Sequence, residues 1–71
     1  MEKIFDAASL GGAIRRRRKE LNYTQSYLSE VSGLSITFIS DLENGKATAE
    51  IGKTIRLINL LGMDMQLEGR S

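Results

Sequence analysis

Apolar residues recur along this chain first at helical spacing and then, near the C-terminus, at every second position, with small polar residues and glycines between the stretches. Leu10, Ile14 and Leu21 fall on one face of a helix, which predicts a first helix from about Ala7 to Leu21. Asp6 stands at the N-cap position, and Phe5 before it is placed to pack on Leu10 as a hydrophobic staple. Asn22 ends the element. Thr24 caps a second, shorter helix, about Gln25 to Ser32, closed by Gly33. Ser35 caps a third, about Ile36 to Glu43, with Ile36, Ile39 and Leu42 as its spaced apolar residues. Asn44-Gly45 is a turn signal. Ala47 or Thr48 then opens a fourth helix to about Leu61, with Ile51, Ile55, Ile58 and Leu61 in period, and Gly62 stops it. Gly11 and Gly12 each cost the first helix roughly 1 kcal/mol relative to alanine. They either admit a close helix contact or weaken the first turns.

The pattern changes after Gly62. Met63-Asp64-Met65-Gln66-Leu67-Glu68 alternates apolar and polar strictly, the period of a half-buried strand. A single strand in a helical chain has no partner within its own protomer, so the expected neighbour is the same segment of a second copy, antiparallel about a two-fold axis. Met63, Met65 and Leu67 are then the dimerisation residues, since three apolar side chains on one face are costly to leave in water. A disordered tail is the competing reading. Leu57, Leu60 or Leu61 would support this roof, and Ile4 and Phe5 could add to it. The expected fold is all-α: a four-helix domain over residues 1–62, then a dimerisation strand and tail over 63–71, the short C-terminal β-strand pairing across a dimer.

Composition narrows the function classes. With 71 residues there is room for one domain, and a chain this short buries only about 60% of its unfolded surface, so it gains from oligomerising. It contains no cysteine and no histidine, which removes disulfides, thiolate metal sites, the commonest metal ligand and the usual neutral-pH general base. No cofactor or metal is expected, and the chain is not expected to be an enzyme. No stretch of about 18 apolar residues suggests a membrane span, and Met1 to Leu10 lacks the order of a signal peptide, so a cytoplasmic protein is expected. The net charge of +1 says little, but Arg15, Arg16, Arg17, Arg18 and Lys19 stand together while the acids are scattered. Such a block suits a face that meets an anion, or a solvated helix face.

Two short helices joined by a tight turn, Thr24 to Ser32 and Ser35 to Glu43, have the dimensions of a helix-turn-helix. Gly33 supplies the left-handed residue that the turn needs. Ser35, Ile36, Thr37 and Ser40 then occupy the exposed side of the second of these helices, which is slim enough for a major groove about 12 Å wide.

The run Thr24-Gln25…Leu28…Gly33-Leu34-Ser35…Ile39-Ser40-Asp41-Leu42-Glu43-Asn44-Gly45-Lys46 resembles the Cro and phage-repressor (XRE) type of helix-turn-helix, over about Ile14 to Leu61. A closer resemblance, carried by Lys3-Ile4-Phe5 before the first cap, the four-helix frame and the alternating tail, is to HipB-like antitoxin repressors. The resemblance implies an ion pair between Arg18 and Glu43, phosphate contacts from Thr24, Gln25, Asn44 and Lys46, and base contacts from Ser35, Ile36, Thr37 and Ser40, with Asp41 a further candidate. It also implies double-stranded DNA as partner, and the two-fold would set the recognition helices roughly 34 Å apart on an inverted-repeat operator. The function implied is a homodimeric transcriptional repressor. It is either the antitoxin of a toxin–antitoxin operon, which also binds a kinase-like toxin, or a stand-alone repressor with no toxin partner. Several positions depart from the family. Ser29 and Ser32 replace small apolar residues, and Tyr27 and Val31 stand where polar residues are usual. Either the second helix is rotated, or Tyr27 and Val31 form an exposed pair that a partner covers.

Overall fold

In a computed structural model, which describes residues 2–70, the four helices are α1 (Ala7–Glu20), α2 (Gln25–Ser32), α3 (Ile36–Glu43) and α4 (Ile51–Leu60). The outer limits drawn at Met1 and Ser71 lie outside the described residues.

Each of the first three helices starts at a side-chain cap. Asp6 accepts from the Ser9 backbone N–H at 2.8 Å, and the Ser9 hydroxyl accepts from Asp6 N–H at 3.2 Å, a reciprocal capping box. The ionised carboxylate is the better acceptor, so Ser9, chiefly through its backbone N–H and then through its hydroxyl, holds the Asp6 carboxyl below its usual range. Thr24 Oγ1 accepts from Tyr27 N–H, and Ser35 Oγ accepts from Phe38 N–H, each at 3.0 Å. Gly33 closes α2 with φ 75°, and its N–H donates to Ser29 O. The staple does not form as expected: Phe5 is 79% exposed.

α4 departs from expectation at its start. Ala47 and Thr48 lie in a turn, not in the helix, and the N-cap is Glu50, which makes no side-chain cap bond. Lys46 N–H donates back to Asp41 O, and Ala49 N–H to Lys46 O, so the chain closes on the end of α3 before a helix can begin. The inward face is rotated as well. Thr54, Leu57, Ile58 and Leu61 are buried, whereas Ile51 and Ile55 are exposed. Thr54 tolerates burial because its hydroxyl donates to Glu50 O at 2.8 Å.

Ile14, Leu28, Leu34, Ile39, Leu42, Leu57, Ile58 and Leu61 form one core, edged by partly buried residues that include Leu10, Leu21 and Met63. α3 packs against both α1 and α2. The α1–α3 approach explains one of the paired glycines: a Cβ on Gly11 would lie 2.3 Å from Leu42 O and 2.8 Å from Glu43 O. Gly12 faces nothing closer than the Arg16 guanidinium at 3.5 Å. Only Gly11 admits a close contact.

Among the described residues there is no strand. Residues 63–70 run on from α4 without regular structure, so the expected C-terminal strand is not formed in the single chain.

Candidate nucleic-acid interface

The turn between α2 and α3 is held by two serines, Ser29 and Ser32. Ser29 Oγ donates to Leu34 O at 2.6 Å, and Ser32 Oγ accepts from Leu34 N–H at 3.1 Å. Small apolar residues would fill the same space, but these hydroxyls also satisfy both backbone groups of Leu34, itself buried. Arg56 closes the end of α2 by donating to Ser32 O at 2.8 Å. The relative placement of the two helices is therefore fixed by side chains as well as by the turn.

On α3, Ser35, Ile36 and Thr37 are exposed, Ile36 at 46%, and Ser40 is half-buried one turn further on. Ile39, Leu42 and Glu43 face inward. Asp41 is half-buried and pairs with Lys46 Nζ at 3.3 Å. Asn44 and Lys46 are exposed in the turn after α3. At the start of α2, Thr24 is exposed with its hydroxyl oxygen engaged as a cap, and Gln25 is half-buried. Ser26, exposed in the same first turn, is a candidate that sequence reasoning missed; nothing in the local pattern separates it from an ordinary solvated serine. A helix N-terminus carries unsatisfied N–H groups and a partial positive charge, so this end of α2 suits an anion.

Behind both helices lies an ion pair. Arg18 Nε donates to Glu43 Oε2 at 2.7 Å and Arg18 Nη2 to Glu43 Oε1 at 2.9 Å, with side chains only 10% and 3% exposed. Arg18 Nη1 also donates to Tyr23 O at 2.8 Å. Hydrogen bonding to Glu43 outweighs burial and raises the Arg18 pKa further above an already high value, so the guanidinium stays charged. No buried side-chain nitrogen or oxygen among the described residues lacks a partner, which is the condition under which a buried pair is tolerable.

The rest of the basic run divides among different faces. Arg17 Nε donates to Leu61 O at 2.9 Å, capping the end of α4, and Arg16 pairs with Glu2. Arg15 and Lys19 are exposed. The block is thus partly framework and not a single anion-binding stripe.

Tyr27 and Val31 are 46% and 45% exposed, while Leu28 and Ser32 of the same helix are buried. α2 is therefore not rotated, and Tyr27 and Val31 form an exposed apolar pair. The Tyr23 and Tyr27 rings lie with centroids 4.8 Å apart. Of the expected dimer residues, Met63 rests half-buried on the core, Met65 is 43% exposed and Leu67 98% exposed. Leu57 and Leu61 are buried within the protomer, so of the three supporting leucines only Leu60, at 39%, has surface to offer. The N- and C-terminal segments flank an open groove of about 1340 Å³ whose walls include Ile4, Phe5, Leu10, Met63, Met65 and Leu67.

Comparison with known proteins agrees with this geometry. A family model described as helix-turn-helix matches residues 14–67. The chain is 39% identical over 66 residues to an uncharacterized HTH-type transcriptional regulator of Sinorhizobium fredii, covering 93% of this chain and 87% of the relative. It is 30% identical over 64 residues to the ImmF control region 10 kDa protein of Bacillus phage phi105, covering 90% and 71%. Among solved structures, a chain of a HipB–O4 20mer complex superposes with a TM-score of 0.88 at 24% identity, covering 100% of both chains. A chain of a HipA–HipB–O2–O3 complex gives 0.89 at 24% identity, again covering 100% of both. At that identity the likeness establishes a shared fold.

Proposed function

The chain belongs to the helix-turn-helix family of transcriptional regulators, and within it we propose a sequence-specific, homodimeric operator-binding repressor that serves as a HipB-like antitoxin. The observation that carries the DNA-binding part is the exposure of Ser35, Ile36 and Thr37 at the start of α3 and of Thr24 and Ser26, with half-buried Gln25 between them, at the start of α2, on two helices packed against each other. With α3 in the major groove, the Ile36 side chain offers an apolar contact to a thymine methyl, and the hydroxyls of Ser35, Thr37 and Ser40 can bond to either kind of base. Lys46, Asn44 and the N-terminus of α2 lie on flanking phosphates and set the register. No arginine, asparagine or glutamine stands on the reading face for bidentate recognition, so thymine methyls and DNA shape carry much of the preference.

Dimerisation is assigned to Met63–Glu68. Pairing with the same segment of a second copy satisfies the backbone and covers Met65 and Leu67, whose exposure in the single chain supports the assignment. The antitoxin role rests on the fold shared with HipB, which has been solved bound to DNA and with HipA, and on the exposed Tyr27–Val31 pair, a surface suited to a partner protein. Such a protein acts in the cytoplasm, where its operator and a kinase-like toxin both lie.

Co-expression with the product of the neighbouring gene tests the antitoxin role. A stable complex that Tyr27→Ser with Val31→Ser weakens, and relief of the neighbour's toxicity, are expected. Operator binding with no complex and no toxic neighbour would leave a stand-alone repressor.

A further inference from the structure

Glu43 does more than pair with Arg18. Its Oε1 also accepts a hydrogen bond from Gln25 Nε2 at 3.2 Å, across 18 positions of sequence. One carboxylate therefore ties together α1 through Arg18, the first residue of α2 through Gln25, and the end of α3. The chemistry of the three groups fixes an orientation. A carboxylate can only accept, so it selects the NH₂ end of the glutamine amide and rejects the carbonyl end. The NH₂ group has two N–H bonds, and one is given to Glu43. A phosphate oxygen is likewise only an acceptor, so an amide turned the other way would meet it with a repelling carbonyl oxygen.

We propose, resting on the DNA-binding reading above, that Glu43 is a positioning residue for the phosphate contact: it holds the Gln25 amide with its NH₂ group forward, leaving the second N–H for a backbone phosphate at the start of α2. Arg18 completes the arrangement. Its charge neutralises Glu43, so a carboxylate can lie beneath a phosphate site without repelling the phosphate. Without that anchor, Gln25 would present donor and acceptor with equal ease and lose rotamer freedom on binding.

A double-mutant cycle tests this. Duplex binding is measured for the wild type, Gln25→Ala, Glu43→Gln and the double variant, at a temperature where circular dichroism finds all four folded. Gln25→Ala is expected to weaken binding about tenfold, as loss of a hydrogen bond to a charged group does. Glu43→Gln should weaken binding comparably in the wild-type background but less than twofold once Gln25 is alanine. A purely structural Glu43 would give the same loss in both backgrounds, and that additivity overturns the proposal. Should Glu43→Gln fail to fold, side-chain amide relaxation in the wild-type protein decides: a rigid Gln25 NH₂ supports the anchor, and one as mobile as an exposed glutamine overturns it. A wild-type protein with no salt-dependent affinity for any duplex would sink the DNA-binding reading itself, and this proposal with it.

Discussion

Gly11 and Gly12 are neighbours in one helix, yet alanine should act oppositely at the two. In open helix, Gly→Ala stabilises by about 1 kcal/mol through backbone entropy. Gly12 has room for a Cβ, its nearest neighbour being the mobile end of Arg16 at 3.5 Å, so Gly12→Ala should approach that gain. At Gly11 the new methyl would lie 2.3 Å from Leu42 O and 2.8 Å from Glu43 O. Those atoms are backbone, so α1 and the end of α3 would have to part by about 1 Å in an interior with no slack. Overpacking alone costs roughly 1–3 kcal/mol. The parting also pulls Glu43 from Arg18, whose bonds at 2.7 and 2.9 Å have little tolerance for displacement. With about 2 kcal/mol for the weakened Arg18–Glu43 bonds added and the propensity gain deducted, a net loss of about 2–4 kcal/mol is expected, against roughly 4–10 kcal/mol for a whole protein of this size. Thermal denaturation at one fixed protein concentration, since association also shifts Tm, should place Gly11→Ala at least about 8 °C below wild type and Gly12→Ala several degrees above. A Gly11→Ala protein as stable as wild type would refute the close α1–α3 approach.

Arg18→Met and Glu43→Gln should each destabilise the fold by about 3–5 kcal/mol in chemical denaturation, because each strands a buried partner; unchanged midpoints in both would show that the pair contributes nothing. The Asp6 carboxyl is held low, so its cap stabilises the fold above the unfolded-state pKa of about 3.9, and that contribution fades as pH falls through the lower folded value. The stability gap between wild type and Asp6→Ala should therefore be full at pH 6 and shrink below pH 4, whereas a gap constant down to pH 2 would argue against an ionised cap. Deleting Asp64 to Ser71 keeps Met63 on the core and should yield a folded monomer by light scattering, while a truncated dimer would place the interface elsewhere.

The caps made most of this fold legible. Asp6, Thr24, Ser35 and Gly33 are local signals that act on backbone groups three or four residues away, and three helices start where they indicate. The start of α4 misled for the same reason. Thr48 has the chemistry of a cap, but the backbone there is still held in turns by the Lys46 N–H bond to Asp41 O and the Ala49 N–H bond to Lys46 O, and the helix starts only at Ile51. The isoleucine spacing misled in turn, since Ile51 and Ile55 are exposed while a threonine is buried. The exposed face of α3 could be read from its period, and the Arg18–Glu43 pair from the family resemblance. Other side-chain bonds could not. The Gln25–Glu43 bond, the Ser29 and Ser32 bonds across the turn and the capping of α4 by Arg17 depend on packing that alters no local pattern. The alternation of the tail predicted a strand, and residues 63–70 show no regular structure in the single chain.

The central claim is that α3 reads bases while the turn after it and the start of α2 hold phosphates. Fluorescence anisotropy titrations over a range of salt, on an operator selected from random duplexes and on an unrelated duplex, test it most directly. Ile36→Ala and Thr37→Ala should weaken operator binding by about 1–3 kcal/mol and leave the unrelated duplex nearly unchanged. Lys46→Ala should weaken both and reduce the salt slope by about one unit. Equal losses on both duplexes for all three substitutions would contradict the assignment of α3 as the reading helix.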